Sequence, residues 1–151
     1  MVLAQQRAML HIMPVIRPAQ PHDLDAVLRL ATQFATSFVV NEQLFHTVFA
    51  AVLHTPDALL AVAEVDGQIV GYVLAFRHVT FFANGPVAWV EELMVAPDQR
   101  QHGLGRLLTQ DVEAWATAHS CRLVALATRR AADFYQAIGY HESATYFRKL
   151  L

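Results

Sequence analysis

The segment from Arg100 to Gly105 has the pattern R-x-x-G-x-G and lies between a predicted strand and a predicted helix. The first amides of a helix have no intrahelical acceptor, and the helix macrodipole places about half a positive charge at that end. Glycine lets the backbone approach an anion without a Cβ in the way. The pattern therefore predicts a phosphate-binding loop, with charge added by Arg100 and Arg106 and pyrophosphate as a natural ligand. A strand-to-helix turn that uses glycine only for backbone freedom is the alternative.

Two adjacent carboxylates precede this loop. Glu91 and Glu92 lie on the predicted strand Val87–Val95. Neighbouring residues of a strand face opposite sides of the sheet, so at most one of them points into a site beside the loop unless a bulge re-aims the other. The pair is a candidate general base, and a solvated acidic pair or a cation-binding rim is the alternative.

Hydrophobic periodicity predicts the elements that position these residues. Asp66-Gly67 separates two runs rich in β-branched and aromatic residues, which predicts a hairpin with a type I′ turn and positive φ at both positions. Before the loop we expect strands at Val15–Arg17, Leu59–Val65, Gln68–Arg77 and Val87–Val95, and amphipathic helices over residues 24–34 and 44–53. After it we expect a long helix from Leu104, a strand at Leu123–Ala127, a helix that Gly139 caps, and a final strand at Ala144–Leu150.

Composition excludes several classes of protein. Hydrophobic residues make up 55% of the 151 residues and charged residues 16%, which excludes disorder, and the net charge of −2 argues against a nucleic-acid partner. The longest apolar run, Ile69–Phe76, is far shorter than the roughly 20 residues of a membrane span. The single cysteine, Cys121, fits a reducing cytoplasm. We expect a flexible extension over residues 1–14 that is not a signal peptide, one domain over residues 15–151, and a homodimer that covers part of the apolar surface.

Two blocks of sequence resemble the GCN5-related N-acetyltransferase (GNAT) family. The first runs from Val95 to Gly105, and the second has the pattern A-x-x-F-Y-x-x-x-G-[FY] from Ala131 to Tyr140. The resemblance implies an α/β (α+β) fold with a mixed, mostly antiparallel sheet flanked by helices on both faces, in the order β-α-α-β-β-β-α-β-α-β. It also implies acetyl-CoA as the acyl-donor cosubstrate, with no metal. Thr128 stands where the family often has asparagine, and Gln99 where an aromatic is common.

The resemblance also implies which residues serve the reaction. An alkylamine with a pKa near 10.4 is neutral in only about 1 in 2,500 molecules at pH 7, so a base is useful. Similar family members place an acidic residue at the position of Glu91, which we therefore favour as base or water-positioner over Glu92. Tyr135 occupies the general-acid position, and a strand amide near Leu93–Val95 is expected to bind the oxyanion. The predicted cofactor-binding residues are Leu93, Met94, Val95, Arg100, Gln101, His102, Gly103, Leu104, Gly105, Arg106, Thr128, Phe134 and Tyr135.

The acceptor is expected to be a small molecule with a primary amine on an apolar or mixed body. The segments that enclose the acceptor in this family here supply apolar and aromatic residues, namely Phe38, Val39, Val40, Phe81, Phe82, Tyr146 and Phe147. Arg77 and Arg148 leave room for a carboxylate on the acceptor, and Trp89 is expected in the core. A non-catalytic acyl-CoA-binding or regulatory module, acetylation of a protein amine, and an apolar interaction domain without a cofactor are the alternatives.

Overall fold

The computed structural model describes residues 13–151, so the predicted extension falls largely on residues outside the described part. Three antiparallel strands follow an opening strand and two helices, and a long helix then crosses over to a last, short strand. The elements are β1 (Val15–Pro18), α1 (Leu24–Phe34), α2 (Glu42–Leu53), β2 (Ala58–Val65), β3 (Gln68–Thr80), β4 (Gly85–Val95), α3 (Leu104–Ala118), β5 (Val124–Leu126) and α4 (Ala132–Ala137). No helix within residues 13–151 is long and apolar enough to cross a membrane.

The sheet has the spatial order β1-β2-β3-β4-β5. The first three pairings are antiparallel, and β5 alone runs parallel to its neighbour β4. Parallel pairing requires a long crossover, which α3 provides. The β2–β3 turn is the predicted one, since Asp66 has φ 52° and Gly67 has φ 74°. The predicted fold class is therefore confirmed, with helices on both faces of a mostly antiparallel sheet.

Each face of the sheet carries its own hydrophobic core. Under α3, the side chains of Val73, Val90 and Val95 pack against Leu108 and Val112. On the opposite face, the side chains of α1 and α2 pack against a second set of strand residues that includes Val62, Tyr72 and Met94. A strand side chain therefore joins one core or the other according to the face of the sheet on which it lies.

An ion-pair cluster fixes the start of α1 to the sheet. Arg17 donates to Asp23 Oδ2 at 2.7 Å and, through Nε, to Glu64 Oε2 at 2.8 Å. The Asp23 carboxylate also accepts the backbone N–H of Gln20 at 2.8 Å, although Asp23 is only 3% exposed. Hydrogen bonding to Arg17 holds the pKa of Asp23 below its usual range.

The predicted final strand, Ala144–Leu150, is wrong: residues 141–151 form no strand. A strand needs a neighbour to complete its backbone hydrogen bonds, and the adjacent β5 is only three residues long. Two side chains of the segment make other contacts. The ring of Tyr146 stacks on Trp89 with centroids 6.4 Å apart, and Arg148 donates to Ser37 Oγ at 2.7 Å. The segment therefore reaches back to the connection between α1 and α2.

Candidate active site

A large cleft opens on the sheet face that carries α1 and α2. Its volume is about 1630 Å³, and its lining comes from both helices, from β4, from the loop before α3 and from α4. Nearly all the predicted cofactor-binding residues line it, namely Leu93, Met94, Val95, Arg100, Gln101, Gly103, Leu104, Gly105, Arg106, Thr128, Phe134 and Tyr135. His102 is the exception. Its exposed ring lies 3.2 Å from the carbonyl oxygen of Gln99.

A β-bulge in β4 brings both glutamates to the cleft. The register pairs Leu74 with Glu92 but Ala75 with Val90, so Glu91 has no partner in β3. Val90 and Leu93 both pack in the core under α3, although strict alternation would put residues three apart on opposite faces. Because the bulge adds one unpaired residue to β4, Val90 and Leu93 can lie on the same face of the sheet. Both Glu91 and Glu92 line the cleft on the other face.

The edge of β4 is free beside the same residues. β5 pairs with β4 only from Ala88 to Val90, so the two strands separate beyond Val90. Within the described residues, no other strand pairs with that edge. Backbone N–H groups that point outward between Glu91 and Val95 are thus available to a ligand in the cleft.

The loop before α3 has the backbone of an anion-binding site. Gln101 and Gly103 adopt left-handed conformations, with φ 65° and 79°. The first amide of α3 that donates to a backbone acceptor is that of Leu107, which donates to Gly103 O at 3.0 Å. Within residues 13–151, the amides from Gly103 to Arg106 make no backbone hydrogen bond. Free amides and the helix macrodipole together favour a phosphate here.

The two sequence motifs meet at Gly105. A Cβ built on Gly105 would lie 3.1 Å from Cζ of Phe134, so the phenyl ring occupies the space that a side chain would need. This contact holds the first turn of α4 against the first turn of α3. It explains why a glycine in one motif accompanies an aromatic residue about thirty positions later.

Two arginines flank the loop differently. Arg100 donates through Nε to the carbonyl of Val95 at 3.1 Å, which ties its side chain to the end of β4. Arg106 lines the cleft and forms no ion pair within the described residues. Arg129 and Arg130 also line the cleft, so its walls carry several positive charges besides the two negative charges of the glutamates.

Tyr135 lies in α4, in contact with two aromatic rings. Its ring meets Phe134 edge-on with centroids 4.9 Å apart and Tyr140 in the same manner at 5.7 Å. Burial raises the pKa of Tyr135, so its hydroxyl keeps its proton at neutral pH. Thr128 Oγ1 accepts the backbone N–H of Ala131 at 3.1 Å and so orders the start of this helix.

Some of the residues predicted to line the acceptor site lie in the cleft. Phe38, Val40 and Tyr146 line the cleft, together with Arg148. Phe81 and Phe82 lie instead in the β3–β4 turn and are 100% and 76% exposed. Their hairpin is longer than its predicted strands, which carries the turn away from the site.

Three other residues predicted on the acceptor side do not line the cleft. Val39 and Phe147 do not line the cleft and are 97% and 88% exposed. Arg77 is engaged elsewhere, in an ion pair with Asp57 at 2.7 Å. Trp89, predicted in the core, lines the cleft and stacks on Tyr146.

Sequence reasoning missed Tyr72. Its side chain is 1% exposed in the core beneath α1 and α2, and its hydroxyl donates to Glu92 Oε2 at 2.6 Å. Tyr72 and Glu92 are 20 residues apart, and only the strand register brings them together. Residues 13–151 contain no grouping of three or more His, Cys, Asp or Glu side chains that could hold a metal ion.

The chain is similar to several acetyltransferases. It is 33% identical over 99 residues to an aminoglycoside N(6′)-acetyltransferase type 1 of Acinetobacter genomosp. 13, covering 62% of this chain and 64% of that protein. It is 29% identical to the aminoalkylphosphonate N-acetyltransferase of Salmonella typhimurium (strain LT2), covering 100% of both chains. The aminoglycoside N-acetyltransferase AAC(6′)-Iy, solved in complex with CoA, has the same fold, with a TM-score of 0.79 and 24% identity over 91% of this chain and 95% of that one.

A family model gives the same result over most of the chain. The model of the acetyltransferase (GNAT) family matches residues 24–140, a range that includes both motifs, β4 and the whole of α3. The two glutamates, the loop before α3 and Tyr135 all lie inside the matched range. The chain therefore belongs to the acetyltransferase (GNAT) family, and the resemblance inferred from its two motifs is confirmed.

Proposed function

We propose that this protein is an acyl-CoA-dependent N-acetyltransferase that moves an acetyl group from acetyl-CoA directly to a primary amine of a small molecule. One observation carries the proposal: a single cleft combines free amides at the start of α3 with two carboxylates and an unpaired edge of β4. The first feature suits a pyrophosphate, and the others suit the chemistry of an amine and a thioester. Both are needed for acyl transfer from CoA.

The loop is the proposed cofactor site. The amides from Gln101 to Arg106 would bind the pyrophosphate, and the charge of Arg106 would add to the attraction. The pantetheine arm would then run along the free edge of β4, past Leu93, Met94 and Val95, in the manner of an added strand. Acetyl-CoA supplies the activated acyl group as a thioester.

The glutamates are the proposed bases. A substrate ammonium must lose a proton before its nitrogen can attack, and reaching the neutral form of an ordinary alkylamine at pH 7 costs about 4.6 kcal/mol. A carboxylate at Glu91 or Glu92 would attract the ammonium and accept this proton, directly or through water. The neutral amine nitrogen would then form a bond to the thioester carbon, and the positively charged nitrogen of the resulting intermediate would lose its second proton to solvent water.

The remaining steps concern the oxyanion and the leaving group. A free amide of β4 beyond Val90 would donate to the oxygen that becomes negative when the thioester carbon is attacked. Collapse of the intermediate breaks the C–S bond and restores the carbonyl. Tyr135, which burial keeps protonated, would give its proton to the departing CoA thiolate, a step worth about 100-fold in rate.

The substrate we propose is a small amine with an apolar or mixed body. The aromatic side chains of Phe38, Trp89 and Tyr146 line the cleft and support an apolar contact. Arg148, whose hydrogen-bond partner is the neutral hydroxyl of Ser37, leaves a positive charge for an acidic group on the amine. Relatives named for aminoglycosides and for aminoalkylphosphonates also take amines of small molecules.

We further propose a cytoplasmic homodimer. The end of the β3–β4 hairpin exposes three large apolar side chains, of which Val79 in β3 is 80% exposed and Phe81 in the turn is fully exposed. Burying them against a second copy would remove this surface from water. A monomer mass by light scattering at micromolar concentration would contradict the dimer without affecting the proposed reaction.

An amine panel tests the proposed function. Release of free CoA from acetyl-CoA is followed with phenethylamine, 2-aminoethylphosphonate, kanamycin, spermidine and a peptide N-terminus. We expect turnover with small amines, and calorimetric binding of acetyl-CoA with or without an acceptor. Binding without turnover of any amine would favour the acyl-CoA-binding module. The highest kcat/KM for the polyamine or the peptide would contradict the proposed substrate class.

A further inference from the structure

The two candidate bases differ in how they are held. Tyr72 donates its hydroxyl proton to Oε2 of Glu92 at 2.6 Å, a length typical of a hydrogen bond to a charged oxygen. Within residues 13–151, Glu91 has no side-chain hydrogen bond, and its side chain is exposed. The carboxylate of Glu92 is therefore fixed by the fold, whereas that of Glu91 is not.

We propose that Tyr72 is a positioning residue that selects Glu92, rather than Glu91, as the carboxylate that accepts the amine proton. This inference rests on the proposed acetyl transfer and assigns its base. It also reverses the preference for Glu91 that the family resemblance suggested.

The donor itself has a fixed position. The ring of Tyr72 is buried in the core formed by α1, α2 and the sheet, in one cluster with Leu30, Phe49 and Met94. Burial and the neighbouring carboxylate raise the pKa of Tyr72, so its hydroxyl stays a donor throughout the working pH range. A rigid donor on Oε2 leaves Oε1 of Glu92 as the oxygen that faces the amine or an intervening water.

The geometry supports a role in the reaction because the hydrogen bond ends in the cleft. Glu92 lines the cleft, and the side chain of Glu92 is only half-buried, so its other oxygen is open to a ligand. A general base must hold its acceptor oxygen in the path of the proton, and a carboxylate free to change rotamer does so for only part of the time. If the hydrogen bond served only to give the Tyr72 hydroxyl a partner, Tyr72→Phe would lower stability. Replacing Glu92 would then lower kcat/KM by the same factor with or without the Tyr72 hydroxyl.

A double-mutant cycle tests the coupling. Tyr72→Phe is made in the native chain, in Glu92→Gln and in Glu91→Gln, and kcat/KM is measured with the most active amine among phenethylamine, 2-aminoethylphosphonate and kanamycin at saturating acetyl-CoA. We expect Tyr72→Phe to lower kcat/KM about 10-fold in the native chain and in Glu91→Gln. In Glu92→Gln, the added Tyr72→Phe substitution should lower kcat/KM by less than twofold. The Kd for CoA by calorimetry should not change.

Tyr140 offers a matched control. Its hydroxyl donates to Glu113 Oε1 at 3.0 Å, a tyrosine–glutamate bond between residues that do not line the cleft. Tyr140→Phe should change kcat/KM by the same factor in the native chain and in Glu92→Gln. The inference is overturned if Tyr72→Phe lowers kcat/KM by the same factor in the native chain and in Glu92→Gln. It is also overturned if the effect of Tyr72→Phe on kcat/KM disappears only in Glu91→Gln.

The single glutamate variants keep the inference testable if Tyr72→Phe does not fold. We expect about 100-fold loss of kcat/KM for Glu92→Gln and less than fivefold for Glu91→Gln. The reverse order would overturn the assignment while leaving acetyl transfer itself intact. A native chain that binds acetyl-CoA but acetylates no amine in the panel would refute the proposed function and this inference with it.

Discussion

Replacing Gly103 by valine should separate the loop's role in binding from its role in folding. Gly103 has φ 79°, and a Cβ built there meets no atom within 4 Å, so the only cost inside the protein is backbone strain. A left-handed conformation costs a non-glycine residue about 1–2 kcal/mol, and valine lies toward the upper end. In a chain of this size that corresponds to a fall in Tm of about 2–8 °C.

The hairpin turn supplies a control with the same strain. Gly67 has φ 74°, a Cβ there also meets nothing within 4 Å, and the residue does not line the cleft. Gly67→Val should therefore lower Tm by a similar amount. Gly103→Val should in addition place a branched side chain where the phosphate is expected to bind. The loss of one hydrogen bond between a loop amide and the charged phosphate would cost about 1.5–3 kcal/mol of binding free energy. That energy corresponds to about a 10- to 150-fold weaker Kd for acetyl-CoA.

Scanning calorimetry gives Tm for both variants, and isothermal titration at 25 °C gives Kd for acetyl-CoA. The expected result is equal loss of Tm, with weaker binding for Gly103→Val alone. If Gly103→Val binds acetyl-CoA as tightly as Gly67→Val does, the loop is not the phosphate site and the alternative of a simple turn is correct. If both bind weakly, the loss arises from instability.

The remaining predictions concern the acid, the N-terminal ion pair and the acceptor. Tyr135→Phe should lower kcat about 10- to 100-fold in single-turnover measurements without changing the Kd for acetyl-CoA, and equal kcat would reject the acid role. Asp23→Asn should lower the free energy of unfolding by about 1–3 kcal/mol in a urea titration at pH 7. Because the folded pKa of Asp23 lies below the unfolded value, this stabilisation is present above about pH 4 and lost as the pH falls, so the difference between native chain and variant should vanish in acid. Arg148→Ala should raise KM for 2-aminoethylphosphonate more than for phenethylamine. An equal change in KM for the two amines would refute the proposed contact between Arg148 and an acidic group of the substrate.

Local signals predicted most of the fold because they act over a few residues. Asp66-Gly67 needs only its own backbone preferences to make the turn, and Gly139, with φ 98°, ends its helix in the same way. The last strand failed for the opposite reason. Residues 144–150 have the composition of a strand, but pairing depends on the neighbour, and the three residues of β5 provide little edge.

The candidate site was predictable where a motif carries its own geometry. The free amides before α3 follow from the glycines and the helix start, which are local in the sequence. The contact of Tyr72 with Glu92 depends on the register of β3 and β4, which no motif encodes. The same holds for Phe81 and Phe82, whose distance from the cleft is set by the length of the hairpin.

One register signal was nevertheless present in the sequence. In β4, Val90 and Leu93 enclose two glutamates, so the apolar residues are three apart where a regular strand requires an even spacing. Without the bulge, one glutamate would point into the core under α3, among Val73 and Val95, with no partner for its charge. Burying an unpaired carboxylate costs several kcal/mol, far more than a local interruption of the ladder. The charges of the pair therefore favour the bulge that turns both side chains toward the cleft, so that the register of β4 and the proposed chemistry depend on the same two residues.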